Sequence, residues 1–250
     1  MPENLYLSAN LAKKYAKLKQ KKYREEFGLF LAEGVKVCEE LLKSDYEVEA
    51  LLIDESKKES SVAASNCRKL IAKSDVFYKI ADSKSPQNIM AVVKYKEAKI
   101  DSEVARFVAI ENVQDPGNLG TILRTAAWFG VQNVLLSSDS VDVYSPKVIR
   151  STMGNMFAMN VIYCDDLVGF ARRTFPRHKF FGAELHAQKR IEEIEVPENF
   201  GLFFGNEANG LRRATIASMD ENYLIGGSGD VESLNLSVSA GIALYRFCGK

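Results

Sequence analysis

The run Phe107-Val108-Ala109-Ile110, Glu111-Asn112-Val113-Gln114-Asp115-Pro116-Gly117-Asn118-Leu119-Gly120, Thr121-Ile122-Leu123-Arg124 decides the fold. Its first four residues are an unbroken apolar strand, the pattern expected when helices cover both faces of a sheet. A polar loop rich in Gly and Pro follows, and then a helix over residues 119–129, with Gly130 as its stop. At about 100° per residue, Leu119, Ile122, Leu123, Ala126 and Phe129 form one core stripe. Arg124 lies roughly 150° from the centre of that stripe, on the face of Gly120 and Trp128. Strand-to-helix loops of this kind are where open parallel sheets bind ligands. Taken alone, Arg124 could equally be a plain exposed helix arginine, or a fork for a phosphate or carboxylate.

Downstream, strands are expected at residues 134–136, 157–162, 179–183, 202–204 and 223–225. Helices fall between most of them, and Ser145-Pro146 reads as one helix start, with Ser as N-cap and Pro in the first turn. This alternation predicts a mostly parallel α/β sheet flanked by helices. Upstream, residues 5–26 read as one polar helix and residues 30–34 as a short strand and turn. Residues 35–43 read as a helix, residues 49–53 and 76–80 as strands, and residues 60–72 as a helix between them. Pro86 and Asn88 mark a turn before a last strand at 90–95. These form a smaller N-terminal α/β domain over residues 1–98. The charged stretch from Lys96 to Glu103 is the linker, and residues 103–250 form the larger domain.

The 250 residues are 46% hydrophobic and 26% charged, ordinary for a globular protein. No apolar run approaches the roughly 20 residues of a membrane span, and the first residues carry no secretory pattern. Cys38, Cys67, Cys164 and Cys248 are scattered, which argues against a disulfide framework or zinc site and fits a reducing cytoplasm. With two histidines, His178 and His186, chemistry built on a metal–histidine cluster is disfavoured. Net charge is zero but uneven: residues 1–100 hold 19 Lys and Arg against 15 Asp and Glu. The surplus sits mostly in Lys13, Lys14, Lys17, Lys19, Lys21, Lys22 and Arg24. Such a cluster attracts phosphates, although a solvated helix face fits the composition as well.

Two further segments carry information. In Leu202-Phe203-Phe204-Gly205-Asn206-Glu207-Ala208-Asn209-Gly210-Leu211, a buried strand ends in a glycine that would let a ligand approach the backbone. Glu207 could accept hydrogen bonds from a ligand or simply favour a helix N-terminus. The other is Ile225-Gly226-Gly227-Ser228-Gly229-Asp230-Val231-Glu232-Ser233-Leu234-Asn235-Leu236-Ser237. This glycine-rich loop has neither a Walker lysine nor a dinucleotide fingerprint. It leads into an almost wholly apolar helix, which predicts burial on nearly every side. Ser233 could be only an N-cap. Asn235, just inside the helix, needs partners for its amide if it is buried.

Together the three segments resemble the SpoU (TrmH-like) family of S-adenosylmethionine-dependent RNA ribose 2′-O-methyltransferases. Asn118 followed six residues later by Arg124 matches the family's first motif. Gly205, Glu207, Gly210 and Leu211 match the second, and Ser233, Leu234, Asn235, Leu236 and Ser237 the third. The stretches from Lys22 to Gly34 and Ser85-Pro86-Gln87 resemble the substrate-binding domain often fused to these enzymes. The resemblance implies a C-terminal domain tied in a trefoil knot, a rare exception to unknotted topology. It implies S-adenosylmethionine (AdoMet) held by three loops through Ala183, Glu184 and Leu185, Gly205 and Asn206, and Ile225, Gly226 and Leu234. It implies a homodimer in which Arg124 completes the partner's site, with Asn118, Ser233, Asn235 and Glu207 orienting ribose and arginine. The RNA is ribosomal as first choice and transfer RNA as second, met by Lys21, Lys22 and Arg24. No DNA, membrane or metal partner is implied. One departure stands out: the third motif usually opens Ile-Pro-Met, and here it opens Ile225-Gly226-Gly227. Loss of the fixed proline φ and of a flexible apolar contact motivates an alternative, a non-catalytic RNA-binding descendant of these enzymes.

Overall fold

Two sheets organise the protein in the computed structural model, which describes residues 5–56, 66–230 and 232–249. The chain divides into two compact units: residues 1–97 with 142–157, and residues 98–141 with 158–250.

The first unit starts with β1 (Leu5–Tyr6), α1 (Ala9–Ala16), a 3-10 turn over Lys17–Lys19 and α2 (Lys21–Phe27). It continues with β2 (Leu29–Glu33), α3 (Val35–Leu41), β3 (Val48–Asp54), β4 (Lys69–Ala72), α4 (Ser74–Ile80) and β5 (Ile89–Lys94). The strands form a mixed sheet in the order β1-β4-β3-β5-β2. Tyr15 and Leu18 from the N-terminal helices meet Leu31, Leu52, Phe77 and Val92 in its core.

Three expectations need correction here. Residues 5–26 are not one helix: Gln20 is extended (φ −98°, ψ 133°) and breaks the run, and residues 5–6 pair as a strand with β4. Residues 76–80 are helix, not strand. A short apolar run is ambiguous, and here Phe77 and Ile80, three apart, turn inward while Tyr78 stays exposed. Of the helix expected at 60–72, residues 60–65 lie outside the described residues, and Lys69–Ala72 is a parallel partner of β3.

The second unit carries β6 (Arg106–Ile110), α5 (Pro116–Trp128) and β7 (Asn133–Ser137). The chain then enters the first unit for α6 (Pro146–Ser151), capped by Ser145, whose hydroxyl accepts from Val148 N. It returns for β8 (Asn160–Cys164), α7 (Leu167–Thr174), β9 (Lys179–Ala183), β10 (Lys189–Arg190), β11 (Phe200–Phe204), α8 (Arg213–Ala217), β12 (Glu221–Leu224) and α9 (Leu236–Cys248). The strand expected at 157–162 begins later, because Asn155–Ala158 is a 3-10 turn.

All seven strands of this sheet are parallel, in the order β10-β12-β9-β11-β6-β7-β8. The mostly parallel α/β architecture is therefore as expected. Phe107, Phe175, Phe180 and Phe203 fill one side of the core. From β6 the order runs outward in both directions: β7 and β8 on one side, β11, β9 and β12 on the other. The switch point lies between β6 and β11, where Phe204 pairs with Ile110. The loops leaving those two strands are the first two sequence segments, and this is where open α/β sheets form their binding crevice.

Candidate active site

Asp115 starts α5 as its N-cap, accepting from Asn118 N at 2.9 Å, with Pro116 in the first turn. That cap fixes the Asn118 side chain beside the neighbouring loop. The Asn118 amide donates to Glu207 Oε1 at 3.1 Å, and its oxygen accepts from Asn235 Nδ2 at 3.0 Å. Asn235 in turn caps α9: its oxygen accepts from Ser237 N at 2.9 Å and Ser237 Oγ at 2.6 Å. One continuous chain, Glu207–Asn118–Asn235–Ser237, thus ties the three segments together. Asn235 is exposed and is itself the N-cap. The buried amide inside a helix, and the capping role considered for Ser233, are both corrected.

Glu207 gathers more donors. Asp115 N donates to Oε1 at 3.2 Å, and Gln114 N to Oε2 at 3.3 Å. Burial pushes its carboxyl up. Hydrogen bonds from Asn118 and from backbone N–H groups of the two loops outweigh that and hold it below the usual carboxylate range. Behind it, Glu111 is buried and accepts from Arg212 N at 2.7 Å and Thr215 Oγ1 at 2.8 Å. That clamp anchors the start of α8 to the end of β6. No linear spacing announces the pairing of Glu111 with Thr215, since they meet only through the sheet.

The loops that follow β9, β11 and β12 border a cavity of about 670 Å3. Ala183, Glu184, Leu185, Gly205, Asn206, Ile225, Gly226 and Leu234 all line it, as do Glu207 and Ser233. Asn206 also donates to Asn112 O at 2.8 Å. Gly205 is needed for a different reason from the one read in the sequence. A Cβ there would stand 1.9 Å from Gly210 C and 2.0 Å from Leu211 N. The space beside this glycine is filled by the protein's own backbone, which lets residues 206–210 fold back through a two-hydrogen-bond bridge.

Arg124 is exposed and is not among the residues lining the cavity. On the same helix Trp128 is 84% exposed, and α9, which packs against α5, leaves Val238, Ile242 and Tyr245 exposed. The expectation that α9 is buried on nearly every side therefore fails within one chain. Leu236, Ala240, Ala243, Leu244 and Phe247 are covered and the opposite stripe is not.

In the first unit, Lys21 and Lys22 are exposed. Arg24 is not a surface contact. It is 3% exposed; Nε and Nη2 donate to Asp142 Oδ2 at 2.9 and 2.5 Å, and Nη1 donates to Leu18 O and Lys19 O. Four hydrogen bonds commit its fork inside the fold, which removes it from any RNA-facing set. Among the described residues no metal-holding cluster of His, Cys, Asp and Glu occurs, and no helix is long and apolar enough to cross a membrane.

A strand-end cavity walled by glycine-bearing loops, with a polar relay running from its wall at Glu207, is a cofactor site of a parallel α/β protein. Residues 105–245 match the SpoU rRNA Methylase family, and residues 10–91 match the MRM3-like substrate binding domain. The chain belongs to the SpoU methylase family. It is 32% identical over 246 residues to the 23S rRNA (guanosine(2553)-2′-O)-methyltransferase RlmP of Bacillus subtilis (strain 168), covering 95% of each chain. It is similar to a solved TrmH-family protein from Porphyromonas gingivalis, at 30% identity and a TM-score of 0.85, covering 96% of this chain and 98% of that one. An AdoMet-bound rRNA methyltransferase from Sinorhizobium meliloti is 27% identical, with a TM-score of 0.85 and coverage of 97% and 95%.

The cavity suits AdoMet, the cofactor of this family. Its volume falls in the range of roughly 300–1,000 Å3 typical for ligands of that size. Leu185, Ile225 and Leu234 offer apolar surface for a purine. Glu184, Glu207 and Glu232 offer carboxylates to a ligand whose sulfonium and ammonium outnumber its single carboxylate.

Proposed function

We propose that this protein transfers a methyl group from AdoMet to a ribose 2′-hydroxyl of structured RNA, with large-subunit ribosomal RNA the first candidate and transfer RNA the second. The observation that carries the reading is the Glu207–Asn118–Asn235–Ser237 chain, which starts from the cavity wall at Glu207. Bound AdoMet supplies an electrophilic methyl carbon. Every other requirement falls to the protein: hold the ribose, orient its hydroxyl, and stabilise the oxygen as its proton leaves.

Asn118 and Asn235 are locked by their mutual hydrogen bond and by two helix N-caps, so their remaining polar atoms are aimed before substrate arrives. Such pre-organisation lowers the cost of reaching the reactive geometry. Glu207, held as a carboxylate by its donors, fixes Asn118 in turn. Arg124 is assigned to the neighbouring subunit's site in a homodimer. Its exposure, its absence from the lining of its own cavity, and the uncovered apolar residues Trp128 on α5 and Val238, Ile242 and Tyr245 on α9 support that assignment. A guanidinium stays charged in proteins, so its work is to hold the phosphate and stabilise the developing alkoxide rather than to take the proton. The exposed Lys21 and Lys22 of the first unit, with their basic neighbours, are assigned to the RNA backbone. A trefoil-knotted C-terminal segment and a cytoplasmic location belong to the same reading.

The test is methyl transfer from tritiated AdoMet to ribosomal RNA isolated from a strain lacking this gene, followed by nuclease digestion and mass spectrometry. A methylated ribose is the expected product. Binding of RNA without transfer under any of these conditions would refute the reading and leave the non-catalytic alternative.

A further inference from the structure

The surroundings of Gly226 explain its identity. Its φ lies outside the left-handed region, so the backbone does not demand glycine there. Space does. A Cβ on Gly226 would stand 2.1 Å from Nη2 and 2.4 Å from Cζ of Arg190. The guanidinium of Arg190 therefore lies directly on this backbone. Arg190 ends β10, in register with Leu224 of β12. Its backbone N–H donates to Glu193 Oε2 at 2.6 Å, which fixes where the side chain begins. The head group is weakly committed. Its ion contact is Nε to Glu192 at 3.6 Å with the arginine side chain 56% exposed, and exposed pairs of that kind contribute little.

Gly226 is part of the cavity wall. The acidic side chains in the lining are Glu184, Glu207 and Glu232, and no lysine or arginine is among the described lining residues. A ligand carboxylate brought into such a cavity meets repulsion unless a cation stands at the wall. We propose that Arg190 is a cofactor-binding residue: its guanidinium, seated on Gly226, receives the methionine carboxylate of AdoMet. A planar fork of N–H donors suits a carboxylate in bidentate fashion. Arg190 is not itself a lining residue; glycine at 226 is what lets its fork lie against the wall. This assignment rests on the reading of the cavity as the AdoMet site.

The test is calorimetry with three ligands on the unmodified protein and two variants. AdoMet and S-adenosylhomocysteine both carry the carboxylate; 5′-methylthioadenosine lacks the whole amino-acid arm. In Arg190→Ala, the first two weaken about tenfold, the scale of one partly solvated charge-assisted hydrogen-bonded pair, and methylthioadenosine is unchanged. Gly226→Ala pushes the guanidinium off the wall and weakens AdoMet and S-adenosylhomocysteine more than methylthioadenosine, with Arg190 still present. Equal weakening of all three ligands in Arg190→Ala would make Arg190 a mere wall support and overturn the assignment. Unchanged affinity for AdoMet overturns it as well. Failure of the unmodified protein to bind any of the three instead refutes the AdoMet reading itself, and this assignment with it.

Discussion

Removing the Asp142 carboxylate measures what the Arg24 contact contributes. Arg24 and Asp142 side chains are 3% and 11% exposed. Asp142→Ala deletes the acceptor of two of the four hydrogen bonds that Arg24 makes and leaves a buried cation facing only Leu18 O and Lys19 O at 2.9 Å. Stranding one member of a buried pair costs about 3–5 kcal/mol. The assay is urea unfolding followed by two probes. Far-UV circular dichroism reports both units; fluorescence of Trp128, the single tryptophan, reports the second. The dichroism midpoint should fall by the larger amount, with an early transition that the fluorescence does not follow. Arg24→Met with Asp142→Leu, which removes both charges, should recover most of the loss. RNA binding by that double variant should keep the salt dependence of the unmodified protein, whereas Lys22→Ala should lower the log–log slope by about one. A loss below about 1 kcal/mol for Asp142→Ala, the scale of a solvent-exposed pair, would refute the burial argument.

Other outcomes follow from the same geometry. Asn118→Ala breaks the chain between Glu207 and Asn235 and should lower kcat about 10²-fold, with AdoMet affinity by calorimetry unchanged because the Asn118 side chain is committed to Glu207 and Asn235. Arg124→Ala and Asn118→Ala subunits, each inactive alone, should regain about a quarter of full activity when mixed and allowed to exchange, because one site of each heterodimer is intact; no recovery would place both residues in one subunit's site. Gly205→Ala drives a Cβ into the Gly210–Leu211 backbone; opening the 206–210 bridge should cost about 2–4 kcal/mol, seen as a lower Tm. Burial holds the His178 imidazole below its ordinary value. The folded-state pKa is thus below the unfolded one, so the associated stability is present above the unfolded value near pH 6.5 and is lost as the pH falls through the folded value. His178→Gln should flatten that part of a melting profile between pH 7 and 5.

The second sheet was legible because its central strands are buried on both faces. Residues 107–110 and 202–204 read as continuous apolar runs with no competing period, and the loops behind them carry glycine and polar residues at fixed offsets. The N-terminal unit was harder. Residues 76–78 are apolar in series, and only the burial of Phe77 with Ile80 reveals the helical period. At the site, Asn118, Glu207 and Asn235 could be picked out, but their connection could not. The Asn118 amide bridges residues 89 and 117 positions away, and such closure exists only once the parallel strands set the loops side by side. Arg24 misled for a related reason: a basic residue within a lysine-rich helix looks solvated until a carboxylate 118 positions later takes its fork. The exposed half of α9 could not be foreseen either, since an apolar stripe in a sequence does not say whether its cover comes from the same chain or another.

The excursion of residues 142–157 has a consequence for how this protein can be inherited. The chain passes between its two units at 97–98, at 141–142 and again at 157–158. A gene fragment ending at residue 97 would code for Arg24 without Asp142, and for Phe30 without the Tyr144 and Phe157 rings that stack on it at 4.6 and 6.4 Å. Exchange of the first unit between relatives by one crossover would leave those positions facing foreign partners. A viable hybrid must carry both stretches together, so recombination within this gene is constrained to donors whose residues 142–157 already match the unit they enter.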